Sequence, residues 1–246
     1  KSTPLCARLI SPGRAFVSLT GGGTKARPGE ISLAHNGVLF LDELPEYTRQ
    51  TLEALRQPLE DGVITISRAQ ASVSYPANFM LIASMNPCPC GNYGSETRPC
   101  TCSAGQIHKY LSKLSGPLLD RIDIHIEVGN VTYGELSDGC DSESSETVRK
   151  RVNEAREIQK SRFNGSKTHC NSHMTSGELK KHCKLDSKSS DLIEMSFERL
   201  NLSARAYSRI LKVARTIADL DASDVVRPQD IAEAIQYRSL DRKYRV

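Results

Sequence analysis

The sequence contains no tryptophan, and aromatic residues make up only 5% of its 246 residues. It also lacks any apolar stretch near the roughly 18–20 residues that a membrane-spanning helix needs. Its first residues, KSTPLCARLI, are too short and too polar for a secretory signal. These absences argue against a membrane span and a membrane partner, and they lead us to expect a cytoplasmic protein.

The composition is typical of a soluble globular protein, but it does not point to a partner by itself. Hydrophobic residues make up 38% of the chain and charged residues 25%, which is enough apolar content for a real core. The formal net charge is +4. A charge of this size does not indicate nucleic-acid binding without a local basic patch.

The first half of the chain has the pattern of an α/β core. Residues 1–130 mix short apolar runs with short helical segments, and strands that alternate with helices favour a parallel sheet. The continuous apolar runs VLFL at 38–41 and FMLIAS at 79–84 predict adjacent, buried parallel strands. RIDIHIEV at 121–128 alternates apolar and polar residues and predicts a third strand.

The second half has the pattern of a helical bundle. Residues 131–146 are rich in serine, glycine and acids and predict a linker, and residues 147–246 predict a helical domain. In this domain, ETVRKRVNEAREIQKSRF predicts a long exposed helix, whereas the polar stretch NGSKTHCNSHMTSGELKKHCK predicts an irregular connection. Ser203 is expected to cap one helix and Pro228 to begin another.

One apolar run ends in two carboxylates, in the stretch GVLFLDELPE. Because a buried strand fixes its own end in space, Asp42 can hold the Mg²⁺ that bridges nucleotide phosphates, and Glu43 can orient the attacking water. This order matches the Walker B pattern of nucleotide hydrolases. A buried strand followed by a solvated acidic turn would give the same letters, so the motif needs support from its neighbours.

Three further stretches supply that support, in the order that AAA+ ATPases show. LIASMNPCPCG is a second apolar strand that ends in Asn86, the place of a sensor 1 residue. SGPLLDRIDI presents Arg121 after a Gly-Pro turn, where a planar, permanently charged fork suits an arginine finger. LSARAYSRILKVARTIADL carries Arg205 at a helix start, the place of a sensor 2 arginine.

Together with GEISLAHNGVLFLDELPE and LEALRQPLEDGVITISRA, these stretches resemble the magnesium-chelatase-like AAA+ ATPases, in particular the bacterial ComM/YifB branch. The resemblance implies a partial AAA+ parallel-sheet core with a C-terminal helical lid bundle, ATP and Mg²⁺ as cofactors, and a homo-oligomeric ring, usually a hexamer. It also implies catalytic roles for Glu43, Asn86 and Arg121, and nucleotide binding by Arg205 and by Asp42, the Mg²⁺ ligand.

The resemblance leaves two functions to compare. The ComM branch acts in DNA branch migration during recombination and transformation, so a DNA-remodelling ATPase is the first hypothesis. The alternative is an ATPase module like that of a magnesium chelatase, which helps a partner to insert Mg²⁺ into a porphyrin. A non-enzymatic interaction module is a third hypothesis, and the intact Asp42, Glu43, Asn86 and Arg121 argue against it.

A P-loop of the form GxxxxGK[ST] does not occur in the sequence. Lys1-Ser2-Thr3 resembles the end of one, but Lys1 precedes Asp42 by less chain than a core of this family needs between the two motifs. The sequence therefore predicts a fragment that begins within the core. Such a fragment is not expected to bind or hydrolyse ATP well alone.

Four cysteines lie close together in CPCGNYGSETRPCTC: Cys88, Cys90, Cys100 and Cys102. With glycine and proline to bend the loop, four thiols can close around a structural Zn²⁺, and free thiols in a surface loop are the alternative. A looser set of histidines and cysteines lies in residues 169–183. For this set we expect a solvated loop.

The predicted hairpin VITISRAQASVSYPANF lies between the Walker B and sensor 1 stretches. In related AAA+ rings a hairpin at this place faces the central pore and contacts DNA, so Arg68 near its tip is a candidate phosphate ligand. Because only one arginine supports this interpretation, an ordinary solvated hairpin is an equal alternative.

Overall fold

The computed structural model describes residues 7–12, 16–23, 27–67, 72–95, 97–129, 143–200 and 202–238. The chain divides into two compact units, which meet in the sequence between Ile122 and Asp123. The first is a mixed α/β unit and the second is helical, which confirms the predicted fold class. The predicted linker 131–146 lies mostly outside the described residues, and its bounds stay a prediction.

The α/β unit is built from short elements. In chain order they are β1 (Ala7–Ile10), α1 (Phe16–Thr20), β2 (Gly21–Gly22), β3 (Arg27–Pro28), α2 (Glu30–Leu33), β4 (Val38–Leu41), a 3-10 helix (Leu44–Glu46), α3 (Arg49–Ala54), α4 (Arg56–Asp61), β5 (Val63–Ser67), β6 (Ser72–Pro76), β7 (Met80–Ala83), α5 (Ala104–Leu111) and α6 (Gly116–Leu119).

Strands β1, β4 and β7 form a parallel sheet with β4 in the centre. Leu41 pairs with Ile10 on one side and with Ala83 on the other. This register confirms that the two apolar runs form adjacent parallel strands. Because the carboxyl ends of parallel strands meet at one edge of the sheet, Asp42 and Ser84 follow side by side at that edge.

The two faces of this sheet differ. Leu39 and Leu41 are completely buried in the core of the unit. On the opposite face, Leu9 and Ile82 flank Phe40 and remain 70% and 43% exposed. Continuous apolar runs predict strands that are covered on both faces. Within the described residues, this part of the prediction is wrong, because the side chains beside Phe40 are left open to solvent.

Strands β5 and β6 form an antiparallel pair, with Val63 opposite Pro76 and Ser67 opposite Ser72. This confirms the predicted hairpin. Arg68, the candidate DNA contact, lies outside the described residues, so its role stays a prediction.

The predicted strand RIDIHIEV is absent from the structure. Residues 122–129 contain no helix or strand, and Ile126 and Val128 are 68% and 83% exposed. A hydrogen bond of 2.9 Å from the His125 N–H to the Tyr237 carbonyl holds the segment instead. A strand needs a ladder of bonds to a neighbouring strand, and none of the described strands pairs with this segment.

The second unit is a bundle of helices, and its core contains Ile210, Ala214 and Ile231. Ser203 accepts a hydrogen bond from the Ala206 N–H at the start of a helix, and Pro228 begins another, as predicted. None of the described helices has the length and apolarity that crossing a membrane requires. The elements are α7 (Ser145–Arg162), a 3-10 helix (Asn171–His173), α8 (Ser176–His182), α9 (Ser187–Leu200), α10 (Ala204–Leu220) and α11 (Pro228–Gln236).

The stretch NGSKTHCNSHMTSGELKKHCK is more ordered than predicted. It contains α8, which begins with a capping box in which Thr175 and Glu178 bond to each other's backbone N–H groups. Leu179 and Cys183 are 8% and 5% exposed and belong to the core. The expectation of a solvated loop over residues 169–183 is therefore wrong for α8 and for Cys183, because the capping box allows a short helix to bury its apolar side.

Candidate functional site

Asp42 lies at the carboxyl end of the central strand, and the strands on both sides fix its position. Its N–H donates to the Ile10 carbonyl at 3.3 Å, and the Ser84 hydroxyl donates to its Oδ1 atom. The Ser84 N–H in turn donates to the Leu41 carbonyl at 3.0 Å. The carboxylate is exposed, and its Oδ2 atom accepts no hydrogen bond from any described residue. Such an oxygen is available to bind a cation.

Glu43 has a left-handed backbone conformation, with φ 51° and ψ 51°. Its N–H donates to Asp42 Oδ1 at 3.1 Å and to the Ser84 hydroxyl oxygen at 3.3 Å. A non-glycine residue with such angles is strained by about 1–2 kcal/mol, and strain of this kind clusters at functional sites. Hydrogen bonds join Asp42, Glu43 and Ser84 into one compact group, which we call the carboxylate edge.

Two buried tyrosines lie near the carboxylate edge. The Tyr47 hydroxyl donates to the Ile10 carbonyl at 2.6 Å, and burial, with the charges of Asp42 and Glu43, raises its pKa to about 12. Burial also raises the pKa of Tyr110 to about 12, with a smaller effect from Glu46, although this phenol bonds to the Asn86 backbone. Both phenols are therefore neutral near pH 7, and they add no charge to the edge.

The other predicted site residues, Asn86, Arg121 and Arg205, differ in their burial and in their contacts. Asn86 is exposed and follows Ser84 by two positions beyond β7. Arg121 is buried and donates to Glu60 and to the Pro117 carbonyl, the latter at 2.6 Å. Arg205 is exposed in the first turn of α10, in the helical unit. The structure thus joins Asp42 and Glu43 with Ser84, and it gives Arg121 a separate set of contacts.

Ser84 and Tyr47 are not among the site residues that the sequence motifs indicated. Ser84 ends the apolar run FMLIAS, and the parallel register alone would have placed it beside Asp42. For Tyr47 the sequence gives no comparable signal, because its bond to Ile10 joins residues 37 positions apart.

The four clustered cysteines converge on one point. Their Sγ atoms all lie within 4.8 Å of one another. The separations are 3.4 Å for Cys88–Cys90, 3.7 Å for Cys88–Cys100 and 3.6 Å for Cys90–Cys100. Tetrahedral coordination with Zn–S bonds of about 2.3 Å separates the sulfur atoms by roughly 3.8 Å. The cluster therefore has the size and ligand type of a structural metal site.

The surroundings of these thiols differ. Hydrogen bonds from the backbone of Asn92 and Thr101 lower the pKa of Cys90 to about 5, whereas burial, and then the nearby Cys90 and Cys88 side chains, raise the pKa of Cys102 to about 12. The chain is fixed just after Cys102, because Ser103 caps α5 and accepts a bond from the Gln106 N–H. One thiolate is thus stabilised by the loop alone, and a bound cation would favour ionisation of the others.

Comparison with known proteins identifies the family. The family described as magnesium chelatase, subunit ChlI, matches residues 11–136, and the family of the ChlI C-terminal part matches residues 142–238. The uncharacterized protein YifB of Escherichia coli is 48% identical over 230 residues, which cover 93% of this chain and 44% of YifB. The competence protein ComM of Haemophilus influenzae is 49% identical over 227 residues, which cover 92% of this chain and 43% of ComM.

The chloroplastic magnesium-chelatase subunit ChlI of Oryza sativa is 31% identical over 119 residues, which cover 48% of this chain and 23% of that subunit. The chain spans less than half the length of the YifB and ComM proteins that it matches. These matches confirm the resemblance that the motifs indicated. The chain therefore belongs to the magnesium chelatase ChlI family, with YifB and ComM among its relatives.

Proposed function

We propose that the chain is part of an AAA+ ATPase that uses ATP hydrolysis to remodel DNA during recombination or transformation. The carboxylate edge is the observation that carries this proposal. Its carboxylates follow a central parallel strand, and α/β proteins bind their ligands outside this edge of the sheet. Membership of the ChlI family supports the ATPase assignment.

In this proposal each residue at or near the carboxylate edge has a separate role. Asp42 offers its Oδ2 atom to the Mg²⁺ of bound ATP, while Ser84 holds Oδ1 and so fixes the orientation of the carboxylate. Mg²⁺ supplies neutralisation of the phosphate charge when bound. Glu43 orients the attacking water and accepts its proton, and Asn86 contacts the γ-phosphate.

Arg121 and Arg205 complete the proposed site. We assign Arg121 to the neighbouring subunit's nucleotide in a ring, where its charge would stabilise the transition state. This assignment requires the guanidinium to leave Glu60, its partner in the single chain. Arg205 in the helical lid is assigned to the nucleotide of its own subunit.

The DNA part of the proposal rests on relatives. The matches to YifB and to the competence protein ComM cover 92–93% of the chain, whereas the chloroplast ChlI match covers 48%. This difference favours the DNA-remodelling ATPase over the alternative, a module that serves metal insertion into a porphyrin. The hairpin β5–β6 is the element that we assign to DNA.

We also propose that the cysteine cluster binds one structural Zn²⁺. Four thiol ligands with the measured separations fit a closed tetrahedral site. A site with four protein ligands leaves no position for a substrate, so the metal would fix the loop between β7 and α5 and take no part in catalysis.

The ATPase proposal is tested with Glu43→Gln in the natural full-length protein. We expect ATP binding to persist, because Asp42 remains, and turnover to fall by roughly 10²–10⁴. Glu46→Gln is the matched control, since Glu46 is an exposed acid in the adjacent 3-10 helix. Turnover of Glu43→Gln equal to that of the control would contradict the assignment.

The DNA proposal needs its own assay. We expect the full-length protein to move a four-way DNA junction in the presence of ATP, and we expect Glu43→Gln to bind the junction without moving it. A protein with normal ATPase activity that neither binds DNA nor responds to it would favour the chelatase-type alternative.

A further inference from the structure

The helical unit contains a small basic cleft of 160 Å³ beside the C-terminal end of α7. None of the residues assigned to ATP hydrolysis lines it. Its lining includes the half-buried His182 and the exposed acid Asp224. The positively charged residues that line it are Arg162, Lys181, Lys184 and Arg215.

Two of these cations share one carboxylate, and one of the two, Arg215, is buried. Arg162 donates to Asp219 through both terminal nitrogens, with Nη1 at 2.6 Å from Oδ2, and Arg215 Nε donates to Asp219 Oδ1 at 3.1 Å. The Arg215 and Asp219 side chains are 1% and 0% exposed. The two guanidinium groups and the one carboxylate therefore carry a net positive charge in a place that is largely shielded from water, and such a charge attracts a further anion.

Part of the Arg162 guanidinium forms no hydrogen bond with the described residues. Its Nη1 atom donates to Asn171 Oδ1 at 3.0 Å and to Asp219, and its Nη2 atom donates once, to Asp219. A guanidinium has five N–H groups. The two that remain, Nε–H and the second Nη2–H, form a fork without a hydrogen bond to any described residue. A fork of this kind fits two oxygens of a phosphate or carboxylate.

The other lining residues strengthen the positive field. Lys181 and Lys184 are exposed and form no ion pair with the described part of the chain. Asp224 bonds to Arg215 Nη1 through its backbone carbonyl, at 2.9 Å, and not through its carboxylate. Four positive charges thus stand against three carboxylates, those of Asp219, Asp224 and Glu178, the last of which acts on His182. The remaining positive charge suits an anion.

His182 senses this field from within the cleft. Burial lowers its pKa, and the nearby positive charges of Lys181, Arg162 and Arg215 lower it further, against the opposite effect of Glu178. An anion that binds between these groups would oppose their effect. His182 is therefore a built-in reporter of anion binding.

We propose that this cleft binds a phosphate group, with the free fork of Arg162 on two of its oxygens and with Lys181 and Lys184 neutralising its charge. The phosphate belongs either to a nucleic-acid backbone or to a small phosphate compound. The site is distinct from the proposed ATP site, and the proposal does not depend on ATP hydrolysis.

The test follows the His182 ring by NMR during titrations with inorganic phosphate, with pyrophosphate and with a short single-stranded DNA, and His182→Gln assigns the signal. We expect a bound phosphate to raise the pKa of His182. In the double variant Lys181→Gln/Lys184→Gln, affinity should fall by about tenfold or more. Lys180→Gln is the matched control, because Lys180 is exposed on the same helix and does not line the cleft.

The three probes distinguish the two possible sources of the phosphate. Binding of all three probes supports a nucleic-acid backbone as the ligand, and binding of the inorganic probes alone supports a small phosphate compound. The proposal is overturned if no probe shifts the pKa of His182, or if Lys180→Gln loses as much phosphate affinity as the double variant.

Asp224→Asn provides a second variant that removes a negative charge from the rim of the cleft, and it should tighten phosphate binding several-fold. Unchanged or weaker phosphate binding by this variant would also count against the cleft.

Discussion

Arg121 is ion-paired with Glu60, although the two residues lie 61 positions apart in the sequence. The Arg121 side chain is 6% exposed and that of Glu60 is 41% exposed. A second bond, to the Pro117 carbonyl, fixes the same guanidinium. An arginine that serves a neighbouring subunit has to reach a phosphate outside its own fold, so Glu60 and that phosphate would compete for one group.

The first prediction concerns the stability of this pair. Glu60→Gln should lower the free energy of unfolding by about 1–2 kcal/mol, because it leaves a buried guanidinium without its counter-charge, and the exposure of Glu60 moderates the loss. Urea unfolding measures it. Glu46→Gln is the control, since its partner Lys113 lies 3.8 Å away on the surface, and it should cost less than about 0.5 kcal/mol. Equal effects would show that the Arg121 pair is not a stabilising contact.

The second prediction concerns action across subunits. Full-length Glu43→Gln and Arg121→Ala proteins should each be nearly inactive, since such a finger is worth roughly 10³–10⁵ in rate. Mixed rings should recover part of the ATPase activity, because at some interfaces a subunit with an intact Glu43 meets a subunit with an intact Arg121. Activity is measured after mixing, and native mass spectrometry confirms mixed assembly. Mixed rings without recovery would rule out action in trans.

The third prediction concerns Ser84. Ser84→Ala removes the hydroxyl that donates to Asp42 and accepts from the Glu43 N–H. Because a partner of this kind orients a metal ligand, the Mg²⁺ concentration needed for half-maximal ATPase activity should rise by about 10–100-fold. Ser112→Ala, on an exposed helix end, should leave it unchanged. An unaltered Mg²⁺ dependence in Ser84→Ala would remove Ser84 from the site.

The fourth prediction concerns the cysteines. Protein purified without chelator should contain about one zinc per chain, and Cys100→Ser should lose it, because three thiolates hold the metal less tightly. Chelation should lower the Tm by roughly 5 °C or more, as the loop loses its ligand. Cys170→Ser is the control, since Cys170 lies outside the cluster. A zinc content that is the same in both variants, or zero in the parent protein, would refute a zinc site.

The sequence predicted the features that local patterns determine. An apolar run followed by two acids was enough to place Asp42 and Glu43 at the end of a strand, and the hairpin followed from two short runs and the polar residues between them. The bond between Ser84 and Asp42 depends on register between strands that lie 42 positions apart. Such a contact is visible in a sequence only after the pairing of the strands is known.

The failures have a related cause. RIDIHIEV has the alternation of a strand, yet a strand also needs a partner, which no local pattern provides. The helix at Ser176–His182 was missed for a different reason, because its polar composition concealed the capping box between Thr175 and Glu178. The burial of Arg121 against Glu60 was equally out of reach, since the motif that names an arginine does not show what holds it.

The open face of the central sheet affects how the chain behaves in concentrated solution. Leu9 and Ile82 flank Phe40 across the three strands, and Met80 on β7 is 58% exposed. Apolar surface of this kind attracts similar surface on other molecules, and kosmotropic salts strengthen the attraction. In colloidal terms, the face is a site of short-range attraction on a particle of modest net charge. We therefore expect sulfate to promote self-association of this chain, by screening the +4 net charge and by favouring contact between the apolar faces.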